Sequence, residues 1–261
     1  MARHPEPGTV SFLRRWRRDR VLSRHSVDES LWRKASRDLP FLSRLSAVET
    51  RRLQELALLL LDEKEITATH GLEITDLMRL SIAAQACLPI LELGMDWYRG
   101  WRGIIVYPGD FRVRRQDVDE AGVVHEWDDD LAGEAMHGGP VVLSWDAASH
   151  DGEINVVIHE FAHKLDMLNG EADGLPPLHA GMDRNAWRGA FMEAYEGLCD
   201  ALERGRQTWL DPYAAEHPAE FFAVMSEAFF THPDETLRRY PAVYEQLGRF
   251  YRQDPAGRTA T

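Results

Sequence analysis

The segment His159-Glu160-Phe161-Ala162-His163 sets two imidazoles four residues apart, with a carboxylate directly after the first. Those residue types can hold a zinc ion and act on a water bound to it. On an α-helix each residue turns the side chain by about 100°, so His159 and His163 stand about 40° apart on one face and can offer two nitrogens to one ion. Glu160 lies beside that face. There it can reach the water without becoming a ligand, which is the position of a general base. The chemistry this predicts is hydrolysis of a peptide bond, with Glu160 accepting the water's proton and handing it to the leaving amine.

A catalytic zinc site takes three protein ligands and leaves a fourth position to water. The metzincin pattern would put Gly and His three and six residues after the second histidine, but Asp166 and Asn169 stand there. A glutamate on a later helix is the remaining type. The run from His217 through Phe230 supplies two, with Pro218 placed for a first helical turn. Glu220 and Glu227 are seven residues apart and share a face, while Phe222, Met225 and Phe229 lie around the other side. One carboxylate would bind the metal and the other would accept an imidazole N–H. Spacing does not choose between them, and His217 is a further donor within reach. Asp166, on the same face as the histidines, would orient an imidazole or pair with Lys164 or an arginine.

The run Gly139-Pro140-Val141-Val142-Leu143-Ser144-Trp145, the run Asn155-Val156-Val157-Ile158 leading into HEFAHKLD, the pairs Asn169-Gly170 and Asp173-Gly174 with Leu175-Pro176, and the stretch 213–227 resemble the Mlc titration factor A family of bacterial zinc peptidases. The resemblance covers about 32–251, and HEFAHKLD and EFFAVMSEAFF are its most specific blocks. The spacing of Tyr213 and Glu220 is also similar to that of the tyrosine and glutamate ligand in the catalytic domain of anthrax lethal factor. What the resemblance implies is one zinc ion per chain, with His159, His163 and Glu220 as ligands, Glu160 as general base and Tyr213 as a hydroxyl donor. A phenol beside the metal would stabilise the oxyanion of a tetrahedral intermediate. Tyr213 also follows Asp211-Pro212 and would anchor that turn. The family takes its name from sequestering Mlc, a glucose-responsive repressor, so the resemblance implies such a protein partner alongside or instead of proteolysis.

The motif must sit on a helix. Ile154, Val157, Ile158, Phe161, Leu165 and Leu168 fall opposite the histidines, giving a core face and a chemical face. Asp151 is the expected N-cap, Glu153 suits the positive end of the helix dipole, and Gly170 is placed to end the helix. Upstream, helices are expected at about 28–38, 47–63 and 75–92, the second spaced by Leu53, Leu56, Leu60 and Leu61. Strands are expected at 104–107 and 111–113, joined by Pro108-Gly109-Asp110 as a hairpin turn, and again at 123–127. Asp128-Asp129-Asp130 reads as a solvated loop. The β-rich segment 140–145 precedes the motif helix and is expected to form a sheet edge on which a peptide adds as an extra strand. A Gly/Pro-rich loop at 170–178, helices near 185–204 and from Pro218, and a closing helix near 235–251 complete the pattern.

The fold class expected is α+β: a zincin-like metallopeptidase domain with a small mixed or antiparallel sheet and a helical N-terminal portion. Its 261 residues, 44% hydrophobic, are enough for one substantial core. The organisation expected is a basic arm at 1–27, one domain at 28–251 (helical at 28–95, catalytic at 96–251) and a flexible tail at 252–261. A net charge of −13 disfavours nucleic-acid binding by the whole surface. Residues 1–40 nevertheless carry ten Lys and Arg against five Asp and Glu. That arm, with Phe12, Leu13 and Trp16 among its arginines, either meets an anionic partner or packs on its own protein and pairs with acids. Cys87 and Cys199 have no paired spacing, so no disulfide framework is expected. The apolar run 56–61 is too short to span a membrane, and the first 30 residues lack the apolar region of a signal peptide. A cytoplasmic location is therefore expected. His125, His137, His150 and His179 read as surface or hydrogen-bonded residues rather than ligands.

Overall fold

A computed structural model describes residues 12–118, 124–149 and 155–258. Its N-terminal portion holds helices α1 (Phe12–Arg24), α2 (Glu29–Ala35) and α3 (Ala47–Glu63), strand β1 (Glu65–Ala68) and helix α4 (Asp76–Cys87). A capping box starts α3: Ser46 Oγ accepts the Glu49 amide and the Glu49 carboxylate accepts the Ser46 amide. From there Leu53, Leu56, Ala57 and Leu60 turn one stripe into the core. Helix α4 ends five residues earlier than expected because Pro89, two positions on, has no amide to continue its hydrogen-bond ladder.

The basic N-terminal segment meets its own protein in part, while Trp16 stays exposed. Val21 is buried, and Arg17 and Arg18 reach Asp62 and Glu55 of α3, each at 2.9 Å. At the other end, residues 252–258 of the expected tail fold back. Gln253 Nε2 donates to Leu88 O at 2.9 Å and Arg258 pairs with Glu49 at 2.7 Å.

Strands β2 (Gly103–Tyr107), β3 (Phe111–Val118), β4 (Val124–Leu131), β5 (Gly133–Ala135) and β6 (Val141–Ser144) follow. One mixed sheet has the order β1-β2-β6-β5, parallel between β1, β2 and β6 and antiparallel between β6 and β5. A second, two-stranded antiparallel sheet pairs β3 with β4. Three expectations change here. Pro108-Gly109-Asp110 does not close a hairpin, because β2 and β3 belong to different sheets. Asp128-Asp129-Asp130 lies in β4, where the register sets Asp128 opposite Arg114 and Asp130 opposite Arg112. Finally, β6 is interior rather than an edge, and Val141, Val142, Leu143 and Ser144 are all buried, as a strand covered on both faces requires. The chain turns back at Met136–Gly139, and the three-residue β5 takes the edge.

Helices α5 (Trp145–Ser149), α6 (Val156–Asp166), α7 (Arg184–Glu203), α8 (Pro218–Thr231), α9 (Pro233–Arg239) and α10 (Pro241–Tyr251) complete the α+β fold. The closing segment is two helices, since Pro241 has no amide to continue α9 and instead starts α10. Phe221, Phe222, Met225, Phe229 and Phe230 of α8 are buried, in a core that also takes Trp187, Phe250 and Tyr251. Helix α6 carries the motif and is buried along its whole length. The expected two-faced helix is thus enclosed on its chemical face as well, with α8 and β5 both packed against it.

Candidate metal centre

Asn155 sets the start of α6. Its Oδ1 accepts the Ile158 amide at 2.9 Å, its Nδ2 donates to Gln85 Oε1 of α4 at 2.8 Å, and its own amide donates to Glu227 Oε1 at 2.6 Å. Asp151, Glu153 and Ile154, where the helix was expected to begin, lie outside the described residues. At the other end Met167–Asn169 forms a 3-10 turn, and Gly170 closes that turn rather than the α-helix.

His159 and His163 stand one turn apart on α6, and Glu220 comes from the first turn of α8. His159 Nε2 and His163 Nε2 lie 3.1 and 3.2 Å from Glu220 Oε2, and 3.2 Å from each other. Among the described residues these three form the group of donors able to hold a cation. Zinc bonds of about 2.0–2.1 Å at tetrahedral angles separate their ligand atoms by about 3.3 Å. Two imidazoles and one carboxylate converging at this spacing fit a zinc-sized ion. Glu227 lies on the other side of His159, its Oε2 3.9 Å from Nδ1, a buried nitrogen without a hydrogen-bond partner. The geometry thus separates two glutamates that spacing left equivalent. The rival donor His217 is the N-cap of α8, its Nδ1 accepting the Ala219 amide at 3.2 Å.

Electrostatics also separates the acids. Burial opposes the charge of Glu220, but hydrogen bonds from both imidazoles outweigh it and hold the carboxyl well below the ordinary range. Burial pushes Glu227 up to about 8, with the Asn155 amide only partly offsetting it. Burial likewise pushes Glu160 up to about 8, against the opposing charge of His163. A carboxyl that holds a proton near neutral pH suits general acid-base work. Burial lowers the affinity of His159 for a proton, whereas His163 is raised despite burial, chiefly by its hydrogen bond to Glu220.

Glu160 is packed by β5. The Ala135 amide of that strand favours its charged form, though less than burial opposes it. A Cβ on Gly133 would lie 2.6 Å from Glu160 Cγ and Oε1 and from Val156 Cγ2, so only glycine lets the edge strand approach this closely. Tyr213 sits on the 3-10 turn Pro212–Ala215, where Asp211 Oδ1 accepts its amide at 2.8 Å. Its ring centroid is 6.1 Å from that of His159. Burial, then the charges of Glu220 and Glu160, raise the phenol's pKa and keep it a donor. The turn-anchoring and donor positions are therefore compatible.

Asp166 hydrogen-bonds to neither imidazole nor Lys164. It is fully buried, and its Oδ2 accepts the Gly174 amide at 2.7 Å. Lys164 instead donates to Met136 O at 2.7 Å and Gly139 O at 2.9 Å. Gly174, at φ +80°, also accepts from Trp187 Nε1 at 3.0 Å, and a Cβ there would lie 2.5 Å from Pro218 O. This glycine fills the space between the end of α6 and the start of α8. Gly133, Gly174 and Asn155 have no spacing signal of their own, and only Asn155, a capping residue type directly before the helix, could have been found from local sequence.

Of the other histidines, His179 Nε2 bonds Phe250 O at 2.8 Å and His137 is exposed, 3.4 Å from Glu171. His150 and the side chain of His125 lie outside the described residues. Among the described residues no helix is long and apolar enough to cross a membrane. Both cysteines are free.

Comparison with known proteins agrees with this geometry. A family model described as glucose-regulated metallo-peptidase M90 matches residues 13–252. Mlc titration factor A of Yersinia pestis (strain Pestoides F) is 38% identical over 227 residues, covering 85% of this chain and 84% of the relative. The protein of the same name from Yersinia pseudotuberculosis serotype O:1b (strain IP 31758) matches to the same extent.

Proposed function

Because this chain belongs to the family of glucose-regulated metallo-peptidases, we propose that it hydrolyses peptide bonds with one zinc ion held by His159, His163 and Glu220. When bound, zinc would supply a Lewis acid and a water with a pKa brought near 7. Glu160 takes a proton from the attacking water and passes it to the leaving amine. Tyr213, kept neutral, donates to the oxyanion. Glu227 is the acid beside His159 Nδ1, at 3.9 Å, and in the metal-loaded protein it would favour the tautomer that leaves Nε2 free as a ligand atom. The free edge of β5 offers backbone groups to an extended peptide. The observation that carries this reading is the meeting of two imidazole nitrogens and one carboxylate oxygen at 3.1–3.2 Å, with a buried Glu160 alongside.

The test is hydrolysis of peptides or chromogenic amides by the wild type and by Glu160→Gln, each with its zinc content measured. We expect equal zinc and a loss of about 10²–10⁴-fold in rate. Equal rates, or no hydrolysis by either zinc-loaded form, would refute the peptidase reading.

A second reading is favoured by the name of the relatives, Mlc titration factor A. On it the chain binds a Mlc-like transcriptional repressor in the cytoplasm, its zinc structural or vestigial. A structural site has no use for a carboxyl placed like Glu160. Binding to such a repressor that survives zinc removal and Glu160→Gln, without any hydrolysis, would favour this reading.

A further inference from the structure

Two recesses adjoin at His159, sharing it with Glu160, Tyr213 and Gly133 as walls, while His163 and Glu220 line the smaller one. The smaller encloses about 240 Å³ and the larger about 680 Å³. The larger runs away from Glu160 along α8, over a floor of Val156, Leu210, Val224 and Ala228, all buried.

The shape of this recess follows from residue size on α8. Val224, Ala228 and Thr231 come four, eight and eleven positions after Glu220, so they continue its face of the helix. These are small side chains, whereas the aromatic bulk of α8 at Phe221, Phe222, Phe229 and Phe230 is buried in the core. Trp209 forms a wall, braced by Tyr240 at 6.2 Å and by Arg239 at 5.6 Å from its ring centre. Of the acids at the recess besides Glu160, Glu227 accepts the Asn155 amide and Asp211 accepts the Tyr213 amide. What remains is an apolar floor next to the proposed proton acceptor, large enough for one bulky side chain.

Resting on the peptidase reading above, we infer that this recess is the substrate specificity pocket, and that it takes a large apolar side chain from a residue flanking the hydrolysed bond. Phe, Tyr, Trp, Leu and Met are the side chains it fits. The energetic source is apolar surface leaving water against Val156, Leu210, Val224 and Ala228. A pocket of this kind acts on rate because that contact is kept in the transition state.

The test uses the zinc-loaded full chain and unstructured peptides identical except at the two residues flanking a central bond, with the cut bonds read by mass spectrometry. Peptides with a large apolar residue at one fixed flanking position should be cut at least about tenfold faster than those with Ala, Asp or Lys there. Ala228→Phe fills the floor and should bring the Phe-to-Ala rate ratio close to one, with zinc content retained. Val224→Phe is the second filling variant, should Ala228→Phe fail to fold. A preference for Lys or Arg, equal cutting of all peptides, or a ratio that filling leaves unchanged overturns the pocket assignment while peptide hydrolysis stands. No cutting of any peptide by folded, zinc-loaded protein overturns the peptidase reading, and the pocket with it.

Discussion

Replacing Gly174 with alanine should weaken metal binding by more than the accompanying loss of stability explains. The new Cβ would lie 2.5 Å from Pro218 O and 3.0 Å from Pro218 C, both backbone atoms that cannot swing aside. Moving it out to 3.4 Å, where ordinary contact begins, takes about 0.9 Å. Pro218 opens α8 and Glu220 is two residues on, so a displaced first turn carries Oε2 away from the imidazoles. Zinc tolerates ligand distances only to about 0.2 Å. The expected result is a zinc Kd raised about 10–100-fold, the range found when groups supporting a ligand are lost. Alanine at φ +80° also costs roughly 1–2 kcal/mol of backbone strain wherever it sits. Gly181→Ala isolates that second effect, because Gly181 has φ +89° and nothing within 4 Å of its Cβ position. Zinc Kd by competition with a chromophoric chelator, and Tm of the zinc-free proteins, separate the two. Both variants should melt lower, and only Gly174→Ala should lose zinc affinity. An unchanged Kd in Gly174→Ala, or an equal loss in Gly181→Ala, would show that this glycine does not space the two helices.

Gly133→Ala should act on the proton acceptor instead, since its Cβ would lie 2.6 Å from Glu160 Cγ and Oε1. A fall of about 10²-fold in kcat with zinc content intact is expected, and steady-state kinetics beside metal analysis would check it. The zinc-free protein should lose stability as pH rises. Burial holds Asp166, Glu160 and Glu227 at about 7, 8 and 8 in the folded state, above the ordinary 3.8 for Asp and 4.5 for Glu, so between about 4 and 8 the native state binds more protons than the unfolded one. Calorimetry in chelator should therefore show Tm falling from pH 5.5 to 8, and a flat or rising Tm would contradict the burial of these acids. Zinc should reduce that fall and release protons on binding, since the ion's charge favours the carboxylates, and titration calorimetry in buffers of different ionisation enthalpy measures the release.

The parts of the site confined to one element were readable from residue spacing. His159, Glu160 and His163 are related by helical period alone, and α6 keeps that relation. Choosing between Glu220 and Glu227 required knowing where α8 meets α6, a matter of packing between segments some sixty residues apart. Pattern identifies 140–145 as β-rich but carries no information on which strands flank it, so it puts at the edge a strand that is interior, where β5 lies outside it. Composition made 128–130 a loop because it registers acidity and not the arginines opposite in β3. Helical position offers Asp166 an imidazole, Lys164 or an arginine, yet its partner is an amide in the following loop. Such a contact depends on how the loop closes, and helical period cannot supply it.

Gln85 touches no donor atom, yet it is one bond from the residue that starts the motif helix, through Asn155 Nδ2 at 2.8 Å. Its Nε2 also reaches Ala148 O at 3.3 Å, just before the chain enters that helix. On the far side of α6, Trp101 lies between the ammonium groups of Lys64 and Lys164, 4.2 and 4.9 Å from its ring centre. Of the residues upstream of 96, Gln85 thus holds the motif helix at its start, and Lys64 supports the Trp101 ring that lies against Lys164 of that helix. A truncated chain beginning at residue 96 would carry every proposed ligand and lack the Gln85 and Lys64 contacts that support the motif helix, so removing the amino-terminal helices should weaken metal binding.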